Sequence, residues 1–212
     1  MNPLRKIRLS ARSSLLSKAQ VSEWEKKVAQ KLALEGIELE KIWLETEGDK
    51  DKHTSLRVAP EDFFTRQIDL HLLEGKSDIA LHSAKDLPAN LHPELDVFAL
   101  TEGVDPRDAL IFHAWPLIRN AKVGVSSLRR EEMVRSLRAD LQIVEIRGTI
   151  QERLELMDRG IVDALVVAQA ALLRLELYYI KRVWLPFFHP LQGKLALVGR
   201  KKDEDLQRIF SC

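Results

Sequence analysis

The fold is decided by residues 122–168, KVGVSSLRREEMVRSLRADLQIVEIRGTIQERLELMDRGIVDALVVA, in which short apolar runs alternate with longer amphipathic segments. The runs at 122–125, 141–146 and 163–168 predict strands, and the segments 127–138 and 149–159 predict helices. A short helix is expected after 168. Alternation of this kind predicts a parallel sheet with helices on its faces.

The first hundred residues predict a similar unit. Strands are expected at 7–11, 38–45 and 78–82, a long helix at 14–34, and a polar loop at 48–55. A second helix is expected to begin at Glu61 and Asp62 and to end at Gly75. The tail is expected to return to this unit and add a strand at 194–198.

Two proline-containing segments, 105–107 and 186–190, are interpreted as the crossings between two α/β lobes. We therefore predict a first lobe from residues 1–100 plus 191–212 and a second lobe from 101–190, with a cleft between them.

Composition restricts the class of protein. Among 212 residues, 33 basic and 32 acidic side chains leave a net charge of +1, which argues against nucleic acid or an anionic membrane as the main partner. The longest apolar stretch is too short to cross a bilayer, and the basic N-terminus runs into polar sequence, so we expect a cytoplasmic protein. A monomer is expected as well. The single cysteine, Cys212, leaves no internal disulfide, and no metal site is predicted.

Polar residues follow each predicted strand, at the edge where open parallel sheets bind ligands. They are Ser10 and Arg12, His82 to Asp86, Ser126 to Arg130, Arg147, and Gln169. Between residues 123 and 180 there are eight arginines and no lysine. Forked recognition of carboxylate or phosphate requires guanidinium groups, which favours an anion site. Surface pairing with glutamates at helical spacing is the alternative for part of this set.

Three local patterns each allow a structural and a functional interpretation. Ser126 and Ser127 before two arginines suit either an anion site at a helix N-terminus or a plain serine cap. Arg147-Gly148 favours a ligand role, because glycine lets a ligand approach the backbone. Lys85 and Asp86 suit a substrate carboxylate and a neighbouring proton or cation, although Asp86 could also satisfy its own turn.

These residues carry a resemblance that covers nearly the whole chain. The motifs DIALHSAKDLP, DPRDAL, VGVSSLRR, IRGTIQERLELMDRG, DALVVAQAALLRL and LQGKLAL occur in the order and spacing of the porphobilinogen deaminase (hydroxymethylbilane synthase) family. The resemblance implies two lobes like those of type II periplasmic binding proteins. It also implies a transferase of porphyrin and haem biosynthesis that joins four porphobilinogens head to tail, with loss of ammonia, on a covalently bound dipyrromethane primer.

The resemblance also implies roles for individual residues. Asp86 would be the catalytic carboxylate that stabilises the cation formed when ammonia leaves, with Lys85 beside it. Phe64 would lie near the ring being added. The residues that would hold cofactor and substrate are Arg12, Ser14, Ser83, Lys85, Ser127, Arg129, Arg130, Arg147, Gly148, Arg153, Arg174 and Gln192.

The chain departs from the family pattern in several places. Family members continue into a further domain whose cysteine tethers the primer. That domain is expected to be missing from this chain, which would be either a fragment or a naturally shortened member. Cys212 does not align with the family cysteine, so its use as the attachment point is an open alternative. Smaller departures are Glu47, Val125, Thr149 and Leu191. Two rival functions remain: a binder that holds a polycarboxylate tetrapyrrole precursor without turnover, and a solute receptor or effector domain. Asp86 favours the enzyme, because a pure carboxylate binder has no use for an acid beside its ligand.

Overall fold

The computed structural model describes residues 5–114, 116–179 and 181–211. Its described residues divide into two compact units. Unit 1 contains residues 5–50, 61–103 and 194–211, and unit 2 contains residues 51–60 and 104–193 apart from 115 and 180. Cys212 lies outside the described residues.

Unit 1 is a five-stranded sheet with helices on both faces. Its elements are β1 (Arg5–Arg12), α1 (Leu15–Leu34), β2 (Ile37–Leu44), α2 (Glu47–Lys50), α3 (Arg66–Leu73), β3 (Ile79–Ser83), a 3₁₀ turn (Ala84–Asp86), β4 (Leu95–Leu100), β10 (Leu195–Arg200) and α7 (Glu204–Phe210). The strand order is β2-β1-β3-β10-β4. Strand β1 is parallel to β2 and β3, whereas β10 is antiparallel to β3 and β4.

Alternation along β3 explains the two cores of unit 1. Ile79 and Leu81 belong to the cluster that includes Trp24 of α1, whereas Ala80 belongs to the cluster that includes Ile68 of α3. Successive strand side chains point to opposite faces, so one strand supplies both cores. His82 follows the Ala80 side, and its ring is buried with Nε2 3.3 Å from the Oδ1 atom of Asp69. It is a structural residue of the α3 face.

Unit 2 repeats the architecture with a different strand order. Its elements are β5 (Asp108–Phe112), β6 (Lys122–Val125), α4 (Leu128–Leu137), β7 (Gln142–Glu145), α5 (Ile150–Asp158), β8 (Ala164–Ala168), α6 (Gln169–Arg174) and β9 (Arg182–Trp184). The order is β7-β6-β8-β5-β9. Strands β6, β7 and β8 are parallel, but β5 is antiparallel to β8 and to β9. The three strands of the alternating run are parallel to one another, as predicted. Strands β5 and β9, which flank that run in sequence, were not anticipated.

Two expectations need correction. Helix α3 begins at Arg66, because residues 61–65 form turns that are closed by the hydrogen bond from Thr65 N to Asp62 O (2.9 Å). Residues 51–60, which we name the strap, were expected in the first lobe but group with unit 2. Ion pairs hold them there: Arg57 contacts Glu131 and Glu145, and Lys52 contacts Glu152.

Candidate functional site

The candidate residues of unit 1 gather at one edge of its sheet. Strands β1, β2 and β3 are parallel, so the residues that follow them, Arg12, Thr46 to Asp49, and Ser83 to Asp86, leave the sheet on the same side. Strand β10 begins at this edge, since Leu195 pairs with Ser83. The topology therefore brings together segments that are far apart in sequence.

Arg12 is held by a group of residues that we name the socket: Thr46, Gly48 and Asp49 of the loop after β2, together with Phe64. Its Nε and Nη2 atoms donate to the two carboxylate oxygens of Asp49, and its guanidinium carbon lies 4.4 Å from the ring centroid of Phe64. Asp49 also accepts from the backbone N–H (3.0 Å) and hydroxyl (2.8 Å) of Thr46. Gly48 is required, because a Cβ there would lie 2.3 Å from the Cε1 atom of Phe64. The geometry fixes the direction of one guanidinium group.

The charge of Asp49 is stabilised in this socket. Burial alone would raise its pKa, but hydrogen bonds and charge from Arg12, with the hydrogen bonds from Thr46, outweigh burial and hold the pKa of Asp49 below its ordinary value. Asp49 is therefore ionised at neutral pH and remains a partner for Arg12.

Lys85 and Asp86 lie on the 3₁₀ turn that follows β3, and both side chains are half-buried. The turn is fixed by hydrogen bonds from Ala84 N to Lys194 O (3.0 Å) and from Leu87 N to Ala84 O (3.4 Å). Ser83, at the end of β3, accepts from Gln20 Nε2 at 2.8 Å. A half-buried carboxylate and ammonium on a fixed turn are suited to charge stabilisation and proton transfer.

Both serines that precede helices act as N-caps. Ser14 Oγ accepts from Ser17 N (3.3 Å) at the start of α1, and Ser127 Oγ accepts from Arg130 N (3.4 Å) at the start of α4. The cap hydrogen bond of Ser127 is the one that the serine-cap alternative predicted, and the cap at Ser14 was not predicted. Contact with a ligand stays a prediction for both.

In unit 2 a fully buried aspartate organises the two adjacent arginines. Asp108, at the start of β5, accepts from Arg129 Nη2 (2.7 Å) and from Arg130 Nη2 (2.6 Å). The Arg130 side chain is only 7% exposed and also donates to Ser126 Oγ (3.2 Å), whereas the Arg129 side chain is 33% exposed. The two arginines predicted as equivalent ligand contacts therefore differ, and only Arg129 presents substantial surface.

Arg147 and Gly148 follow β7. Gly148 has a φ of 102°, in the region that favours glycine, and a Cβ there would lie 2.7 Å from Glu152 Oε2. The glycine thus allows the capping box that starts α5, in which Thr149 and Glu152 bond reciprocally. The departure at Thr149 is accommodated as a helix cap. Arg147 Nη2 donates to Asp51 O of the strap at 2.7 Å.

The remaining predicted residues of unit 2 contact backbone carbonyl groups. Arg153 Nε donates to Gly148 O (2.8 Å), and Arg174 Nη2 donates to Gly193 O (2.7 Å). Gln192 is 2% exposed, and its amide donates to Pro106 O (2.5 Å) and to Asp108 Oδ1 (3.0 Å). Gln192 therefore has a clear structural role in unit 2.

Two residues central to these arrangements, Asp49 and Asp108, were not singled out from the sequence. Each holds a predicted arginine. A signal for Asp108 was present, because Ala109–Phe112 is an apolar run bounded by turn residues and so could have been assigned to a strand that begins at the aspartate. Its position at the ligand edge follows from the antiparallel direction of β5, which places its first residue opposite Ala168, the last residue of β8. Asp49 gave no comparable signal.

Two features bear on the class of site. Among the described residues, no group of histidine, cysteine and carboxylate side chains is arranged to hold a metal ion. The part of the chain that the structure describes contains no helix with the length and apolar character needed to cross a membrane.

Solved structures show the fold class. The chain is similar to the probable amino-acid ABC transporter extracellular-binding protein of Bacillus subtilis, with a TM-score of 0.55, 11% identity, and coverage of 96% of this chain and 88% of that one. This likeness shows the α/β fold of type II periplasmic binding proteins, as the sequence predicted.

Sequence relatives show the family. A probable porphobilinogen deaminase of Chlamydia trachomatis is 37% identical over 215 residues, which cover 96% of this chain and 86% of the relative. The porphobilinogen deaminase of Caldicellulosiruptor saccharolyticus is 41% identical over 179 residues, and this chain spans 61% of its length.

The family model described as porphobilinogen deaminase, dipyromethane cofactor binding domain, matches residues 7–208. This range includes both strand edges and every predicted ligand residue except Cys212. The chain belongs to the porphobilinogen deaminase family.

Proposed function

We infer that this chain catalyses the reaction of its family, hydroxymethylbilane synthesis from porphobilinogen in tetrapyrrole biosynthesis. The observations that carry this inference are made in each unit by itself: unit 1 has a fixed turn with Lys85 and Asp86, and unit 2 has several arginines at its strand edge. Porphobilinogen carries carboxylates to be bound and an ammonium group to be expelled, so both kinds of side chain have a task.

We propose that Asp86 is the catalytic carboxylate. Loss of ammonia leaves positive charge on the pyrrole, and a fixed carboxylate facing that charge stabilises it and can hold a proton from the pyrrole N–H. Lys85 is proposed to bind a substrate carboxylate next to Asp86. Phe64 is proposed to lie near the pyrrole being added, with Arg12 fixed over its ring.

The arginines of unit 2 are proposed to bind the acetate and propionate groups of cofactor and substrate. Guanidinium groups match carboxylates with two parallel N–H donors, which lysine cannot do. The four that we assign to this role are Arg129, Arg147, Arg153 and Arg174. Within unit 2, Arg130, Ser127, Gly148 and Gln192 are proposed to shape the site around these arginines. In unit 1, Ser14 and Ser83 are proposed to hydrogen-bond to cofactor or substrate.

The chemistry of these donors fits the dipyrromethane cofactor of the family, whose carboxylates require several fixed cations. When bound, the cofactor supplies the pyrrole carbon to which the first substrate is joined. Attachment through Cys212 stays a prediction. Intact mass of the chain expressed in a porphobilinogen-producing cell tests it, since an unmodified mass would contradict attachment.

Turnover separates the enzyme from a binder. The purified chain is supplied with porphobilinogen alone in one sample and with porphobilinogen plus preformed primer in a second sample. It should release ammonia and form hydroxymethylbilane, which is measured as uroporphyrin after oxidation. Binding of porphobilinogen without either product would favour a polycarboxylate binder and defeat the proposed activity.

A cytoplasmic location and a monomeric state also stay predictions. Cell fractionation with an antibody to the chain tests the location. Light scattering coupled to size-exclusion chromatography tests the monomer, which should elute with the mass of one chain.

A further inference from the structure

Asp108 occupies an unusual electrostatic position. It is fully buried, and its carboxylate receives one guanidinium group on each oxygen: Arg129 on Oδ2 and Arg130 on Oδ1. Gln192 adds a third donor at 3.0 Å. One negative charge between two positive ones leaves this group of side chains with a formal charge of +1, available to an anion.

The surplus charge lies on Arg129. Arg130 is enclosed, with a 7% exposed side chain and a further contact to Ser126 Oγ. Arg129 has a 33% exposed side chain, and it donates from Nη2 to Asp108 and from Nη1 to Phe187 O (3.2 Å). The buried carboxylate thus fixes a guanidinium group that still reaches the surface.

We propose that Asp108 is a positioning residue that orients Arg129 toward a pyrrole carboxylate. Arg130 is the buried counter-ion of Asp108. This inference rests on the proposed function. Binding normally immobilises the long arginine side chain at an entropic cost. Asp108 restricts Arg129 before the ligand arrives, so less freedom is lost on binding.

Removing the charge of Asp108 has two opposing effects. It strengthens the positive field at the site, but it also releases Arg129 and leaves two neighbouring cations to repel each other. The second effect dominates, because carboxylate recognition by guanidinium depends on aligned N–H groups, whereas the field at a partly exposed arginine is screened by solvent. We expect Asp108→Asn to weaken porphobilinogen binding by about tenfold.

Calorimetric titration with porphobilinogen tests this in an Asp86→Asn background, in which turnover is blocked. Asp108→Asn and Arg129→Gln should each weaken binding about tenfold, and the combination should be no weaker than Arg129→Gln alone, since one acts through the other. Asp105→Asn is the matched control, because Asp105 pairs with the exposed Arg107 at 2.6 Å. Unchanged binding by Asp108→Asn, or losses that multiply, would overturn the inference.

A charge-balanced variant guards against misfolding. Asp108→Asn leaves Arg130 buried and unpaired, which is costly, and adding Arg130→Gln restores the balance. The double variant still lacks the anchor of Arg129 and should bind about as weakly as Asp108→Asn. Binding equal to that of the parent would count against the positioning role.

Nitrogen-15 spectra of the arginine side chains provide a test without ligand. The Arg129 signal, assigned by its loss in Arg129→Gln, should be restricted in the unmutated chain and motionally averaged in Asp108→Asn. Equal mobility in the two proteins would overturn the inference whatever the titration gives. If the unmutated chain shows a fixed Arg129 but no affinity for porphobilinogen, the proposed function fails, together with the ligand named for Arg129, and only the restriction of Arg129 by Asp108 is upheld.

Discussion

Units 1 and 2 share an architecture and an aspartate–arginine ion pair, but they differ in the side chains at their strand edges. In each unit an aspartate holds an arginine: Asp49 holds Arg12, and Asp108 holds Arg129. Unit 1 adds a carboxylate and an ammonium group on the turn after β3, whereas unit 2 adds further guanidinium groups after β7 and in α5 and α6. On the proposed function, this difference assigns the reacting groups to unit 1 and the recognition of charge to unit 2, and both assignments stay predictions.

The largest expected effect is on the turnover rate, and it distinguishes the catalytic role proposed for unit 1 from the binding role proposed for unit 2. Asp86→Asn in unit 1 should lower the turnover rate by about 100-fold or more while leaving porphobilinogen affinity within about twofold, because a catalytic carboxylate acts mainly in the transition state. Arg129→Gln in unit 2 should mainly raise KM. Steady-state kinetics measure both.

The control for Asp86 is Asp205→Asn, which removes an exposed partner of Arg5 in the same unit and should leave kinetics unchanged. If Asp86→Asn raised KM without lowering the rate, the assignment of catalysis to unit 1 would fail.

The next effect concerns the socket of Arg12. Asp49→Asn should lower the free energy of unfolding at pH 7 by on the order of 2 kcal/mol, because charge-assisted hydrogen bonds are lost. The pKa of Asp49 is lowered in the folded state, so its stabilisation is present above the unfolded value near 4 and is lost as pH falls through the lowered folded value. The difference between variant and parent should therefore shrink in acid. Guanidinium denaturation from pH 7 to pH 3 measures it.

Asp62→Asn provides the comparison, since Asp62 also pairs with an arginine, Arg66, but at a more exposed position of unit 1. Its effect should be smaller than that of Asp49→Asn. An equal effect would mean that the socket adds no special stability.

A smaller effect is expected at the helix caps. Thr149→Ala in unit 2 removes a capping box and should cost about 1 kcal/mol, whereas Ser14→Ala in unit 1 removes a single 3.3 Å cap bond and should cost less. Thermal unfolding of the two variants measures the order, and the reverse order would contradict it.

The smallest effect concerns the strap, which belongs to unit 2 although unit 1 flanks it in sequence. Arg57→Ala removes ion pairs to Glu131 and Glu145 and should destabilise the chain by less than about 1 kcal/mol while speeding proteolysis within residues 51–60. Arg57→Lys keeps a positive charge beside Glu131 and Glu145 and should retain most of the protection. If Arg57→Lys lost as much protection as Arg57→Ala, positive charge at this position would not be what holds the strap.

Sequence reasoning succeeded where a pattern is local. The run 122–168 predicted three strands and two helices within one residue of the observed bounds, because apolar periodicity is set by neighbours in the chain. The strands β5 and β9 were missed because short apolar runs beside prolines do not reveal their direction or partner. The strap was misplaced because its contacts are to glutamates 74 to 100 residues away.

The sequence by itself determined the α/β class, the family motifs and the arginine-rich second unit, because residue type and order define them. Only the tertiary structure decided which arginine is buried and which is presented. Arg129 and Arg130 are adjacent and chemically identical in the sequence. Their difference arises because the antiparallel strand β5 brings the buried carboxylate of Asp108 to the start of α4. Both arginines pair with that carboxylate, but Arg130 is buried there and Arg129 stays partly exposed.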